Sequence, residues 1–274
     1  MKLLQRKIDS ILKEWKKNEN RLPLIVKGAR QVGKTASILQ FAHSNYKNVV
    51  AINFVLQPKY KAIFEEGYEV DDIIRNLTLI DPSLKIEPTN TLIFFDEMQD
   101  CPACATSLKA FKTDGRYDVI CSGSLMGINY QEIESNSVGY KEDYTMHSMD
   151  FEEFLWAKGY DSSFINSLYD KMTTVTPLTR IEMDILEKIF REYMTIGGMP
   201  AVVNQFVSNN NFSGTLKMQQ QLLLDYEEDI TKYAHRLDKG RIKNVYDHIT
   251  VFLGQDNKKF QISKIARGAR NREY

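Results

Sequence analysis

The sequence predicts an α/β fold: a parallel-sheet core followed by an all-helical C-terminal part. Three observations carry that expectation. Apolar runs with strand character recur at residues 22–27, 48–54, 91–95 and 117–121, separated by stretches of helical periodicity, which is the pattern of βαβ crossovers. The first run feeds a glycine-bracketed loop, Gly28-Ala29-Arg30-Gln31-Val32-Gly33-Lys34-Thr35, and an amphipathic segment begins at Ala36. From Met149 onward, strand character gives way to helix.

In chain order, Leu3, Leu4, Ile8, Ile11, Leu12 and Trp15 recur at helical spacing and predict a helix over 2–17. A polar turn over 16–21 leads into the first strand. The 55–90 region reads as helical over 60–66 and 70–79, punctuated by Asp81-Pro82 and Glu87-Pro88. A fifth, weaker strand is expected over 144–147. Asp150 with Glu153 three residues on has the form of a capping box. A long helix over 181–196 should stop at Gly197-Gly198, and Pro200 should open the next helix. Further helices are expected over 212–234, 239–253 and 260–266. The chain ends at Tyr274 inside a helix-turn-helix-like pattern, which predicts a truncated chain.

The 274 residues can bury a sizeable core, and Lys+Arg 36 balances Asp+Glu 36, so no global field points to nucleic acid or an anionic membrane. A 43% hydrophobic and 26% charged composition is ordinary for a soluble globular protein. No apolar run approaches the roughly 18 residues of a bilayer span, and the charged N-terminus lacks a signal-peptide core. Three cysteines, an odd number, suggest no disulfide framework. The expectation is a cytoplasmic protein without membrane contact.

The loop from Gly28 to Thr35 fits G-x-x-x-x-G-K-[ST], a phosphate-binding P-loop. Glycines let successive backbone N–H groups turn onto phosphate oxygens, and the helix behind the loop adds unpaired amides and a positive dipole end. The expected cofactor-binding set is Gly28, Ala29, Arg30, Gln31, Val32, Gly33, Lys34, Thr35 and Ala36. Lys34 would reach the β- and γ-phosphates and contribute to catalysis, and Thr35 would ligate Mg²⁺. Some sixty residues on, the apolar strand over 91–95 runs into Asp96-Glu97. Asp96 at the strand end would stand beside the metal held by Thr35, and Glu97 would deprotonate a water for in-line attack. The next strand ends in Ser122-Gly123-Ser124, either serine being a candidate γ-phosphate sensor.

Taken together these motifs resemble the bacterial and archaeal AAA-type ATPases whose longer members carry a C-terminal DUF4143 domain. The resemblance rests on the loop wording, on Ile52-Asn53-Phe54, on Phe94-Phe95-Asp96-Glu97-Met98-Gln99 and on Ser122-Gly123-Ser124. It continues through Asp150-Phe151-Glu152-Glu153-Phe154, Gly197-Gly198-Met199-Pro200 and the run over 226–233. It implies a P-loop NTPase (AAA-like) core with its N-terminal helix over 1–160, a helical lid over 161–236 and the start of a winged-helix segment over 237–274, with the DUF4143 domain absent. By the same analogy Gly198 and Pro200 would approach the adenine. ATP is expected over GTP through the resemblance, no Asn-Lys-x-Asp guanine box being present. The resemblance departs after the serine strand. Where many relatives have Gly-Arg or Gly-Lys, this chain has Gly139-Tyr140 with Lys141 next, and Arg30 and Arg116 are the other candidates for stabilising transition-state charge.

Other signals weigh less. Cys101-Pro102-Ala103-Cys104 has metal or redox spacing but no second pair or nearby His at ligand spacing. Asp96-Glu97-Met98-Gln99-Asp100 also resembles the box of one helicase superfamily, but the chain is too short for the second RecA-like domain that reading needs. Arg236, Lys239, Arg241, Lys243, Lys258, Lys259, Lys264, Arg267, Arg270 and Arg272 make the C-terminal segment locally basic, a possible DNA or protein partner surface. The sequence-level function is a Mg²⁺-dependent ATPase that moves a lid; the alternative is a nucleotide-gated switch binding DNA or protein with negligible hydrolysis. Oligomerisation is compatible with either.

Overall fold

In a computed structural model, the described residues are 3–124, 137, 139–233 and 239–256. They form two compact units, Met1–Thr215 and Leu216–Tyr274. The first unit is built on a five-stranded sheet of β1 (Leu24–Gly28), β2 (Asn48–Asn53), β3 (Thr91–Asp96), β4 (Asp118–Ser124) and β5 (Glu142–Thr145). The order is β2-β3-β4-β1-β5 and every pairing is parallel. β4 therefore lies between the strand carrying Asp96 and the strand feeding the phosphate loop. All the strands point their C-terminal ends one way, which gathers the loop, the Asp-Glu pair and the serine strand at one edge of the sheet.

Helices α1 (Lys7–Lys17), α2 (Lys34–Asn45), α3 (Val70–Ile80) and α4 (Ala103–Asp114) cover the sheet. β3 is buried along its whole length, and its side chains alternate between two cores. Leu92 and Phe94 join Ile8, Leu12, Trp15, Ile38 and Phe41 on one side, whereas Ile93 and Phe95 join Ile63, Ile73, Leu108 and Phe111 on the other. The Phe95 ring centroid lies 5.6 Å from Phe54, 5.8 Å from Phe64 and 6.3 Å from Phe111.

The first unit continues through α5 (Phe151–Ala157), α6 (Ser162–Thr173), α7 (Arg180–Ile196) and α8 (Pro200–Asn209). The Asp150–Glu153 capping box forms in both directions, Gly197 ends α7 and Pro200 opens α8. α9 (Thr215–Tyr233) begins at the unit boundary, and α10 (Lys239–Leu253) lies in the second unit. There Lys243 pairs with Glu227 at 3.1 Å and with Asp247 at 3.7 Å. The expected helix over 260–266 and the basic residues Arg236, Lys258, Lys259, Lys264, Arg267, Arg270 and Arg272 lie outside the described residues. No helix among the described residues is long and apolar enough to cross a membrane.

Several element ends differ from the sequence-based expectation. The first helix starts at Lys7 rather than residue 2 because Arg6 adopts an extended backbone (φ −131°, ψ 153°) and caps it, with the Asp9 carboxylate accepting the Arg6 N–H at 2.9 Å. β5 forms over 142–145 rather than 144–147, where it pairs with Leu24 to Lys27. The segment over 58–64 is a 3₁₀ turn. Phe95→Ala should remove the ring that joins three others on one sheet face and cost about 3–5 kcal/mol, measured as a loss of unfolding free energy in urea with the transition still cooperative.

Candidate functional site

β1 delivers the chain to the loop, and Met146, just past β5, closes on the strand's exit. Its N–H donates to the Lys27 carbonyl at 2.7 Å, and a Cβ on Gly28 would stand 2.2 Å from the Met146 carbonyl oxygen. Gly28 is therefore required by close approach of backbone. At the other end of the loop Gly33 takes φ 99°, ψ 14° and starts α2. The expected binding residues from Gly28 to Ala36 are thus contiguous and turned around the helix N-terminus.

Lys34 is 8% exposed and donates its Nζ protons to the carbonyls of Gly28 at 2.9 Å and Ala29 at 2.8 Å. Burial holds its ammonium below the usual lysine pKa range; Glu97 and Asp96 counter this, and Arg30 adds to it. One residue on, Thr35 Oγ1 lies 3.2 Å and 3.1 Å from the two carboxylate oxygens of Asp96. Asp96 also accepts the Ser122 hydroxyl on Oδ1 and the Asn53 amide on Oδ2 at 3.0 Å. A buried carboxylate surrounded by three neutral donors has a fixed orientation. Its oxygens together with the Thr35 hydroxyl make an oxygen-only donor set that suits a hard divalent cation carrying waters.

Glu97 leaves β3 in the left-handed region (φ 56°, ψ 47°) and begins a 3₁₀ turn, Met98–Asp100. Gln99 donates its amide to Glu97 Oε2. A cleft of about 530 Å³ runs along this edge, lined by loop residues from Arg30 to Ala36, by Asn53, Val55 and Leu56, and by Glu97. A second cleft of equal volume, between α5, α6 and α7, is lined by Leu155, Ile165, Leu168, Met172 and Leu186 and includes neither the phosphate-loop residues nor Asp96 or Glu97.

The two candidate serines divide. Ser122 is fully buried with its hydroxyl committed to Asp96, whereas Ser124 sits at the strand tip in register with Gly28 and gives its backbone N–H to Gln99 Oε1 at 3.3 Å. Gly198 packs against the chain before α5: its carbonyl accepts the Met149 N–H at 2.7 Å, and a Cβ would meet the Met149 oxygen at 2.0 Å. Pro200 Cγ comes 3.9 Å from where a Gly33 Cβ would stand, so the turn before α8 abuts the loop. Two of the candidate basic residues lie elsewhere. Arg116 precedes β4 and is paired with Asp114 at 2.6 Å and Asp71 at 2.5 Å, and Lys141 precedes β5 and is paired with Asp143 at 2.7 Å. Both stand at the N-terminal edge of the parallel sheet, opposite the loop. Cys101 and Cys104 are core residues. Cys104 Sγ is 3.7 Å from Cys121 Sγ, burial pushes the Cys101 thiol up to about 11, and the described residues hold no cluster of three or more His, Cys, Asp or Glu suited to a metal.

Sequence reasoning missed three residues. Arg6, 5% exposed, donates to Glu153 Oε1 at 3.0 Å, to the Val32 carbonyl inside the loop at 2.6 Å and to the His147 carbonyl at 2.8 Å. In the sequence it reads as one more cation on an amphipathic helix. Asn53 and Gln99 fall within the quoted motifs, where their amides carried no assigned task; Asn53 also receives the N–H groups of Val55 and Leu56 on Oδ1 at 3.0 Å and 2.9 Å.

Residues 20–155 match a family described as "AAA domain", and residues 187–274 match a domain of unknown function, DUF8612, rather than DUF4143. The first match supports an AAA-type P-loop nucleotide-binding core, in agreement with the parallel sheet. A Haemophilus influenzae protein described as uncharacterized is 21% identical over 179 residues, which are 65% of this chain and 40% of that protein. The chain thus spans well under half of that relative's length. Among solved structures, AMPPCP-bound DnaA from Aquifex aeolicus is 10% identical with a TM-score of 0.42, over 94% of this chain and 80% of that one. Drosophila ORC bound to DNA is 13% identical with a TM-score of 0.40, over 93% and 74%.

The buried Arg6–Glu153 pair makes a specific prediction. Arg6→Met keeps the apolar stem but strands the Glu153 charge and two backbone carbonyls, and should cost about 3–5 kcal/mol of unfolding free energy. Chemical denaturation measures it.

Proposed function

We propose that this chain is a Mg²⁺-dependent, AAA-type ATPase core that binds and hydrolyses ATP and couples the cycle to movement of its helical lid. The observation that carries the reading is the juxtaposition of Thr35 with Asp96 beside Lys34, with Glu97 on the very next residue at the mouth of the same cleft. The loop amides and Lys34 hold the phosphates, and Thr35 and Asp96 hold the cation, whose bound charge would offset that of the phosphate oxygens. Glu97 accepts the proton of the attacking water. Ser124, at the tip of β4, is the better placed of the two serines to sense the γ-phosphate; Ser122 acts by orienting Asp96. Gly198 shapes the turn that carries Pro200 towards the loop and, in this reading, towards the base of the nucleotide. The finer kinship to the DUF4143-bearing ATPases rests on the motif wording alone.

The second reading is a nucleotide-gated switch that engages DNA or a protein and hardly hydrolyses. It is favoured by the location of Arg116 and Lys141, whose charges stand at the far edge of the sheet and leave transition-state stabilisation to other groups. The basic residues of the C-terminal segment would supply its contact surface. Steady-state phosphate release separates the two: turnover well above the order of 10⁻⁴ s⁻¹, the scale of an unassisted switch GTPase, supports the ATPase, and turnover at or below it supports the switch.

Lys34→Ala should abolish binding of a fluorescent ATP analogue, whereas Glu97→Gln should retain binding and lower phosphate release by about 10²-fold or more. Because burial depresses the Lys34 pKa, a bound polyphosphate should raise it and binding should take up protons at alkaline pH. ATP affinity should therefore fall as pH rises through the lysine's depressed range. Calorimetry in buffers of different ionisation enthalpy measures that uptake.

A further inference from the structure

We propose that Gln99 is a positioning residue that fixes the Glu97 carboxylate for proton abstraction and ties it to the tip of β4. The proposal rests on the reading of Glu97 as the base. Glu97 leaves β3 with φ 56° and ψ 47°, and the Asp100 N–H returns to the Glu97 carbonyl at 3.0 Å. That tight turn folds Gln99 back over the side chain of the residue two before it. The Gln99 amide nitrogen then donates to Glu97 Oε2 and, at 3.2 Å, to Asp100 Oδ2. Its carbonyl oxygen accepts the backbone N–H of Ser124 at 3.3 Å.

Both ends of the carboxamide are therefore committed, and only one orientation satisfies them. A flipped amide would set its oxygen against two carboxylates and its NH₂ against another donor. The Ser124 N–H thus fixes which end of Gln99 faces Glu97. An amide is a suitable holder for a base because it donates without carrying a titrating proton of its own. With Oε2 of Glu97 occupied by the amide, Oε1 is left to accept a proton from water. The same NH₂ group stands between Glu97 and Asp100, two carboxylates that would otherwise repel across the turn.

The other end of the link reaches the phosphate loop, since Ser124 is in register with Gly28, the loop's first residue. A displacement of the β4 tip relative to β3 would stretch the Ser124–Gln99 hydrogen bond and loosen the base. Gln99 is in this sense the connection between loop and base, acting through Glu97 and not on the nucleotide.

The test compares single-turnover hydrolysis and ATP affinity for the full chain in five forms: wild type, Gln99→Ala, Gln99→Glu, Glu97→Gln and the double variant Glu97→Gln/Gln99→Ala. Gln99→Ala should slow hydrolysis at least about tenfold, the scale of losing a supporting partner, with affinity changed by no more than about twofold. Gln99→Glu, equal in length but without the donor, should be no better. In the Glu97→Gln background, Gln99→Ala should have no further effect, because its action passes through Glu97. If Gln99→Ala does not fold, Gln99→Met replaces it. Wild-type rates in Gln99→Glu, or an equal fold-loss from Gln99→Ala with and without Glu97, would overturn the positioning role while leaving Glu97 as base. Normal hydrolysis by Glu97→Gln would remove the base itself, and this proposal with it.

Discussion

A guanidinium at 5% exposure supports the phosphate loop from behind. Arg6 gives one N–H to the Val32 carbonyl in the loop, one to the His147 carbonyl beyond β5 and one to the Glu153 carboxylate at the start of α5. Burying a charge is costly unless it is paired and hydrogen-bonded, and here the pairing partner is itself buried at 5% side-chain exposure. Glu153 is in turn fixed by the N–H groups of Lys7 and Asp150. Three stretches of chain distant in sequence, the N-terminal segment, the loop and residues 147–153, therefore meet at one cation. The Val32 carbonyl of the loop is thereby satisfied by a buried side chain of the N-terminal segment.

The acidic half of the site is held on the same plan, by neutral donors instead of a cation. Asn53 and Ser122 from the neighbouring strands and Thr35 from α2 converge on Asp96, and Gln99 in the turn after β3 holds Glu97, so each carboxylate's direction is set by a neutral partner. Parallel strand order makes this possible: β2, β3 and β4 end side by side and present Asn53, Asp96 and Ser122 together. Lys34, buried against its own loop's carbonyls, supplies positive charge beside both acids. A site with its charges and dipoles fixed before a ligand arrives loses little to reorganisation when one binds.

Most of the core was readable from the sequence because its signals are local. The apolar runs gave the strands, Asp150 and Glu153 gave the capping box, and Gly33-Lys34-Thr35 gave the helix behind the loop. What could not be read depends on contacts across long separations. Arg6 bonds to partners 26, 141 and 147 residues away, and nothing near it in sequence distinguishes it from Lys7. The same holds for Arg116 and Lys141, which looked available in the sequence until strand direction set them at the far edge. Ser122 and Ser124 could not be ranked because the alternation of a strand's side chains matters only once its neighbours are known.

The central claim is that the edge of the sheet carrying Lys34, Thr35 and Asp96 is a magnesium-nucleotide site. Calorimetric titration of the chain with ATP, in the presence of Mg²⁺ and again in the presence of EDTA, tests it most directly. The reading predicts saturable one-to-one binding that is tighter with the cation, since the Asp96 carboxylate can engage the nucleotide only through it. Absence of binding, or binding indifferent to Mg²⁺, would contradict the account.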